Sequence, residues 1–230
     1  MQDLLKQGGL YLVVDPKPGA GAVLPKIEAA LRGGVGILQV WDHWDAGQDA
    51  ADFITRTVGL ARPHGVPVLV HERLDLLRTT PADGIHYDSP HMTPRQVRDA
   101  AGRNVLYGVT CGNDLERVRW AANEGADYVS FCAMFPSPSA GECEIVHLTT
   151  LESARERHPE LTIFASGGIT PANAPQVLAA GADGLAVISG ILGADDPEAA
   201  ARRYAAVIRS ARPRSRFGRP ESLSDTRPTP

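Results

Sequence analysis

The stretch Thr162-Ile163-Phe164-Ala165-Ser166-Gly167-Gly168-Ile169-Thr170 runs through PANAPQVLAA (171–180) into Gly181-Ala182-Asp183-Gly184-Leu185-Ala186-Val187-Ile188. It holds a complete unit of structure. Thr162–Ala165 and Gly184–Ile188 are short apolar runs with no polar alternation, as in strands covered on both faces. Between them Ala172–Ala180 is rich in helix formers. The glycine of Gly181-Ala182-Asp183 stands where a helix must end before the next strand, and glycine at such a position can take a left-handed backbone. Strand, helix and parallel strand in this order make one βα repeat.

Working outward, the same rhythm recurs. Strands are predicted over Leu10–Asp15, Gly36–Trp41, Val66–His71, Asp83–Tyr87, Val105–Thr110 and Asp127–Phe131, in addition to the two above. Helical stretches such as Gln48–Leu60, Thr93–Ala101, Leu115–Glu124 and Pro197–Ala211 fall between or after them, and Thr93-Pro94 and Asp196-Pro197 supply cap-and-proline starts. Gly33-Gly34-Val35 and Gly125-Ala126-Asp127 repeat the helix-to-strand turn. About eight βα units predict an α/β fold, a single (βα)8 TIM barrel. The barrel domain is expected to span 1–213. The remainder, RSRFGRPESLSDTRPTP (214–230), lacks periodicity and is expected to be a disordered tail.

Composition narrows the functions open to this fold. The 230 residues are 43% hydrophobic and 22% charged, with a formal net charge of −4. That balance offers no field to attract nucleic acid. No run approaches the roughly 18 apolar residues of a membrane span, so no membrane partner is expected. Three cysteines argue against a disulfide framework and, with a polar N-terminus in place of a secretory segment, for a cytoplasmic protein.

In such barrels chemistry gathers at the C-terminal ends of the strands. There the sequence places Asp15; Gln39, Trp41, Asp42 and His43; His71, Glu72 and Arg73; His86, Asp88 and His91; and Thr110 with Cys111. Cys132 and the loop FPSPSAGEC (135–143) follow strand 6, Ser166-Gly167-Gly168 follows strand 7, and Ile188-Ser189-Gly190 follows strand 8. The Gly-Gly turn lets backbone N–H groups approach a ligand, and Ser189-Gly190 adds donors at a helix start, which together predict a phosphate pocket. The hydroxyls of Ser137 and Ser139 stand on a proline-stiffened loop suited to the same anion. Cys111, Cys132 and Cys143 read as residues of the same face, each a small apolar residue or else a soft ligand or nucleophile. His64 and His158 read as surface residues, and Asp75 and Asp88 as turn caps.

From Gly9 to about Ala211 the chain resembles the thiamine-phosphate synthase / thiazole tautomerase family. The likeness is carried in order by LYLVVD, GGVGILQV, VPVLVHERLDLL, ADGIHY, YGVT, GADYVSF, the FPSPS loop, ASGGIT and AGADGLAVIS. It implies a βα barrel and a Mg²⁺-assisted transferase that joins an aminopyrimidine-methyl pyrophosphate to a thiazole phosphate and releases pyrophosphate. The implied partners are those small phosphorylated substrates, and a homo-oligomer is compatible with the family. By resemblance, Ser137, Ser139, Gly167, Gly168, Ile188, Ser189 and Gly190 would hold the thiazole phosphate, while Gln39 and Thr110 would meet the aminopyrimidine.

The pyrophosphate side departs from the family. Its Gln-hydrophobic-Arg-Asp-Lys is here Gln39-Val40-Trp41-Asp42-His43, its Asn-Asp metal pair is His71-Glu72, its second Asp aligns with His91, and its loop lysine with Ala140. Glu72 and His91, with His71, then resemble an N/O site open to Zn²⁺ or Mn²⁺ as well as Mg²⁺. Gln39, His43, His71 and Cys132 are the candidate catalytic residues: Gln39 to place the electrophile, His43 and His71 to stabilise the leaving group. Two alternatives stand beside the transferase. One is a thiazole-phosphate tautomerase-like isomerase, for which Ala133 occupies the family's base position and Cys132 is the nearest substitute. The other is a non-catalytic thiazole- or thiamine-phosphate-binding protein.

Overall fold

The computed structural model describes Leu5, residues 7–137 and residues 144–211. Eight parallel strands close on themselves in sequence order: β1 (Gly9–Val14), β2 (Ile37–Val40), β3 (Val68–His71), β4 (Gly84–Tyr87), β5 (Leu106–Thr110), β6 (Tyr128–Phe131), β7 (Ile163–Ser166) and β8 (Gly184–Val187). β8 returns to pair with β1, so the barrel leaves no open edge. Helices separate the strands, and those predicted over Leu115–Glu124 and Pro197–Ala211 have those bounds. The helix predicted from Thr93 begins at Pro94, with Thr93 as N-cap in a reciprocal capping box with Gln96. The predicted tail, 214–230, lies outside the described residues. Among the described residues no helix is long and apolar enough to cross a membrane.

Two apolar shells follow from strand periodicity. Outward-facing residues such as Leu12, Val40, Val70, Ile85, Val109 and Val129 pack under the helices. Inward-facing Tyr11, Ile37, Leu69, Leu106, Tyr128, Phe164 and Ala186 fill the barrel. Tyr11, Tyr128 and Phe164 meet edge to face, with centroids 5.2–5.8 Å apart. Gly108 makes room for them, since a β-carbon there would come within 2.0 Å of the Tyr128 ring.

The Ala-Asp repeats tie the lower rim of the barrel. Asp83, Asp127 and Asp183 each stand just before an even strand and accept the backbone N–H of Val68, Tyr107 and Ile163 at the start of the preceding odd strand, at 2.8–2.9 Å. Arg98 and Arg155 pair with Asp127 and Asp183. In the Gly33-Gly34 turn the left-handed residue is Gly34 (φ 99°), whereas Gly33 is right-handed at φ −77°. Gly33 is there for space: a β-carbon would lie 2.5 Å from the Glu198 carbonyl oxygen of the last helix.

Candidate functional site

The same two-residue period that buries Tyr11 and Leu69 brings polar side chains to the inward positions one step higher. Gln39 on β2, His71 on β3, His86 on β4, Thr110 on β5, Ser130 on β6 and Ser166 on β7 therefore converge at the C-terminal mouth. The β3–β4 register sets His71 directly opposite His86, and their rings stack at 6.2 Å.

On the β3–β4 side the structure brings together His71, Glu72 and Asp88, whose ligand atoms lie within 4.8 Å of one another. His71 Nε2 is 3.1 Å from Asp88 Oδ2, and the Asp88 N–H donates to Glu72 Oε1 at 2.6 Å. Glu72 adopts φ 60°, a left-handed backbone that a non-glycine residue enters only at a cost. The hydrogen bond from His71 holds the Asp88 carboxyl below its usual range, against the opposing effect of partial desolvation. Asp88 is thus not the turn cap that its neighbours in sequence suggest, because the β3–β4 register hands it to His71. His91 stands outside this group: it is 66% exposed and reaches Glu72 Oε2 at 3.4 Å. Two carboxylates and one imidazole form a donor set that fits a divalent ion, oxygen-rich enough for Mg²⁺ and with a nitrogen that Mn²⁺ or Zn²⁺ accepts readily.

Beside it, His43 Nδ1 lies 3.0 Å from Asp15 Oδ1, and the Trp41 and His43 rings tilt together at 4.6 Å. Arg73 is committed to Asp75 at 2.6 Å and to Asp42 at 3.4 Å. Asp75 accordingly serves as an ion-pair partner in the first turn of its helix, and its carboxyl is lowered by that hydrogen bond.

Across the mouth lies the glycine-rich side. Gly167 and Gly168 have φ 85° and 64°, and a β-carbon on Gly168 would come within 2.6–2.8 Å of Phe135 and of the Pro136 carbonyl. The loop after β6 is pinned to this turn by bonds from Met134 N–H to the Ser166 carbonyl (2.8 Å) and from Phe135 N–H to the Gly167 carbonyl (3.0 Å). Two residues on, the Ser137 hydroxyl is buried with no hydrogen-bond partner among the described residues. A buried hydroxyl without a partner is costly unless a ligand supplies one. Ser189 and Gly190 are exposed at the start of the short helix Ser189–Leu192, whose N-cap position is Ile188. These groups give this side of the mouth hydrogen-bond donors of the kind an anion accepts. Ser139, Ala140 and Cys143 lie outside the described residues.

The thiols divide. Cys111 faces outward into the apolar shell under the helices, 2% exposed, and burial pushes its pKa up to about 12. It is therefore removed from the reactive face on which the sequence appeared to set it. Cys132 is half-buried just after β6 and is followed by Ala133, from whose β-carbon a β-carbon on Gly167 would lie only 2.6 Å away. An imidazole or carboxylate base is absent from that position, as the sequence indicated.

Sequence reasoning missed a chain of hydrogen bonds in the barrel interior. Tyr11 Oη donates to Gln39 Oε1 (2.5 Å) and meets Tyr128 Oη (2.8 Å); His86 Nδ1 meets Tyr128 Oη and His86 Nε2 meets Thr110 Oγ1, both at 2.9 Å. Burial, reinforced by the neighbouring His71, lowers the His86 pKa to about 3 and keeps the ring neutral. The signal available in the sequence was the inward parity of Tyr11, Gln39, His86 and Tyr128 within their strands.

A sequence profile described as thiamine monophosphate synthase matches residues 10–191. The thiamine-phosphate synthase of Acidithiobacillus ferrooxidans is 39% identical over 207 residues, covering 87% of this chain and 94% of that protein. That of Bordetella pertussis is 38% identical over 213 residues, covering 90% and 98%. The solved structure of a thiamine phosphate pyrophosphorylase from Pyrococcus furiosus superimposes with a TM-score of 0.75 at 25% identity, covering 90% of this chain and 98% of its own.

Proposed function

Since the chain belongs to the thiamine monophosphate synthase family, we propose that it is a transferase of thiamine biosynthesis that joins an aminopyrimidine-methyl pyrophosphate to a thiazole phosphate. The methylene–oxygen bond breaks with its electron pair leaving on pyrophosphate. The thiazole ring nitrogen then supplies the pair that forms the new carbon–nitrogen bond. The observation that carries this reading is the opposition, across one barrel mouth, of an anion cradle and a divalent-ion donor set.

In this reading Ser137, the backbone N–H groups beside Gly168, and Ser189 with Gly190 hold the thiazole phosphate, together with Ser139. Gln39 and Thr110 hold the aminopyrimidine. His71, Glu72 and Asp88 hold the divalent ion, with His91 behind Glu72; this set replaces the trio His71, Glu72 and His91 expected from alignment. A bound Mg²⁺ or Mn²⁺ supplies positive charge against the charge that develops on the departing pyrophosphate. His43, beside Asp15, adds an N–H donor where the family has an ammonium group, and Cys132 lines the wall toward the thiazole.

The test is direct. Purified protein given both substrates with Mg²⁺ or Mn²⁺ is expected to form thiamine phosphate, and Glu72→Gln or Asp88→Asn to raise the ion concentration needed by about 10–100-fold. No thiamine phosphate with either ion would overturn the proposal. Binding of thiazole phosphate by calorimetry without any turnover would favour the non-catalytic alternative.

A further inference from the structure

We infer that Tyr11 is a positioning residue that locks the Gln39 amide with its oxygen inward, so that the amide meets a ligand only as a hydrogen-bond donor and selects an acceptor atom on the aminopyrimidine ring. The inference deepens the reading of the reaction given above and rests on it.

Counting protons along the buried chain fixes the direction of every bond. Tyr11 Oη and the Gln39 side chain are 2.5 Å apart. That separation suits O–H···O and is shorter than the roughly 2.7–3.2 Å of N–H···O bonds, so the atom facing Tyr11 is the amide oxygen. The single Tyr11 proton is spent there, and its oxygen must accept from Tyr128 at 2.8 Å. The single Tyr128 proton is then spent as well, so the partner at 2.9 Å, His86 Nδ1, must be the protonated nitrogen. His86 Nε2 is left as an acceptor and takes the Thr110 hydroxyl proton at 2.9 Å, in preference to Asp88 Oδ1 at 3.4 Å from the same hydroxyl. The relay therefore runs one way, from Thr110 at the mouth through His86, Tyr128 and Tyr11 to Gln39.

The relay is held in place by packing. Tyr11 and Tyr128 are essentially fully buried, Phe164 packs edge-on against both, and Gly108 leaves the gap that the Tyr128 ring fills. Flipping the Gln39 amide would set an N–H at 2.5 Å from the Tyr11 oxygen, closer than N–H···O bonds lie, and would require every proton of the relay to reverse. What remains for a ligand is the pair of N–H groups on Nε2. A site built to donate rejects an analogue lacking the acceptor, because a buried N–H is then left unpaired.

The experiment uses the full chain with aminopyrimidine-methyl pyrophosphate and two aminopyridine analogues, each with one ring nitrogen replaced by CH. Dissociation constants come from calorimetry, and kcat/KM is measured at saturating thiazole phosphate. The wild type is expected to lose at least about tenfold in affinity for one analogue. In Tyr11→Phe that penalty should shrink to about threefold or less, with weaker binding of the natural compound and an unchanged KM for thiazole phosphate. Gln39→Glu, which keeps an oxygen for Tyr11 and offers no N–H, should bind the natural compound at least about tenfold more weakly and show no penalty; it carries the test should Tyr11→Phe fail to fold. Wild-type binding indifferent to both analogues, or a penalty that survives intact in a folded Tyr11→Phe or in Gln39→Glu, would overturn the inference. Ligand binding with the expected penalties and no thiamine phosphate formed would instead overturn the reading of the reaction and leave the positioning role standing.

Discussion

His86 makes the stability of this barrel depend on pH, with a definite sign. Its ring is 4% exposed and its pKa is lowered to about 3, whereas an unfolded chain titrates near the ordinary value of 6.5. Between those values the unfolded state binds one proton more than the folded state, so the contribution is full above pH 6.5 and is lost as pH falls toward 3. One pKa unit is about 1.36 kcal/mol. Integrating the two titrations from pH 7 to pH 4.5 gives a loss of about 2.5 kcal/mol, in a window where most carboxylates stay ionised. With a urea dependence of roughly 2–3 kcal/mol per M for a chain of this size, the unfolding midpoint should fall by about 1 M. The assay is urea unfolding followed by circular dichroism at pH 7, 6, 5 and 4.5, for the wild type and His86→Gln. The variant starts less stable, because the bonds to Tyr128 and Thr110 are weakened, but its curve should lack this loss. The histidines away from this pair are common to both proteins and cancel in the difference. Parallel pH profiles for the two would refute the reasoning.

Three further outcomes follow from the same coordinates. Gly168→Ala puts a side chain at φ 64° and a β-carbon 2.6 Å from the Phe135 carbonyl oxygen; about 1–2 kcal/mol for the backbone and about 1–3 for the clash should lower the melting temperature by roughly 5–15 °C in calorimetry, with a raised KM for thiazole phosphate. Cys111, with its pKa pushed up to about 12, should escape iodoacetamide at pH 8 in the folded protein and react after unfolding, read by peptide mass spectrometry. Asp127→Ala strips the partner from the Tyr107 N–H and from Arg98, both bonded at 2.8–2.9 Å, and should cost about 3–5 kcal/mol in denaturant unfolding, with little change in KM for either substrate.

How much of this was legible in the sequence depends on how far apart the interacting residues lie. Strands and helices were readable because their signals are local: apolar runs such as Val68–Val70, the Thr93-Pro94 start, and the glycines Gly34, Gly125 and Gly181 between a helix and the next strand. The turns Gly125-Ala126-Asp127 and Gly181-Ala182-Asp183 were readable as a repeat, although neither the matching Asp83 nor the task of the three carboxylates was, which is to hold the N–H at the start of the strand before. The tight turn at Gly167-Gly168 was legible too, since close backbone approach is a property of glycine itself. Asp88 was not, because Tyr87-Asp88-Ser89-Pro90 reads locally as a turn, and only the His71–His86 register delivers it to His71. The relay was hidden more deeply: Tyr11 and Tyr128 stand 117 positions apart, each inside an apolar run where an aromatic residue looks like ordinary core.

The replacement of fixed cations in this chain alters the division of labour in the proposed reaction. Trp41 and His43 stand where the family has a guanidinium and an ammonium group. Four carboxylates, Asp15, Asp42, Glu72 and Asp88, border the same side of the mouth. Two are paired within it, Asp15 with His43 at 3.0 Å and Asp42 with Arg73 at 3.4 Å. Glu72 and Asp88 belong to the cluster with His71. Facing a pyrophosphate at about 4 Å, each uncompensated carboxylate would repel it by roughly 4 kcal/mol at an effective dielectric constant of 20. Two such charges exceed what a few imidazole N–H donors return, at about 1 kcal/mol per hydrogen bond. A divalent ion held by this cluster would offset that charge and make the surface attractive to pyrophosphate. On the proposed reading, the binding of pyrophosphate and the binding of the ion should therefore be more tightly coupled in this chain than in a site that keeps its own arginine and lysine.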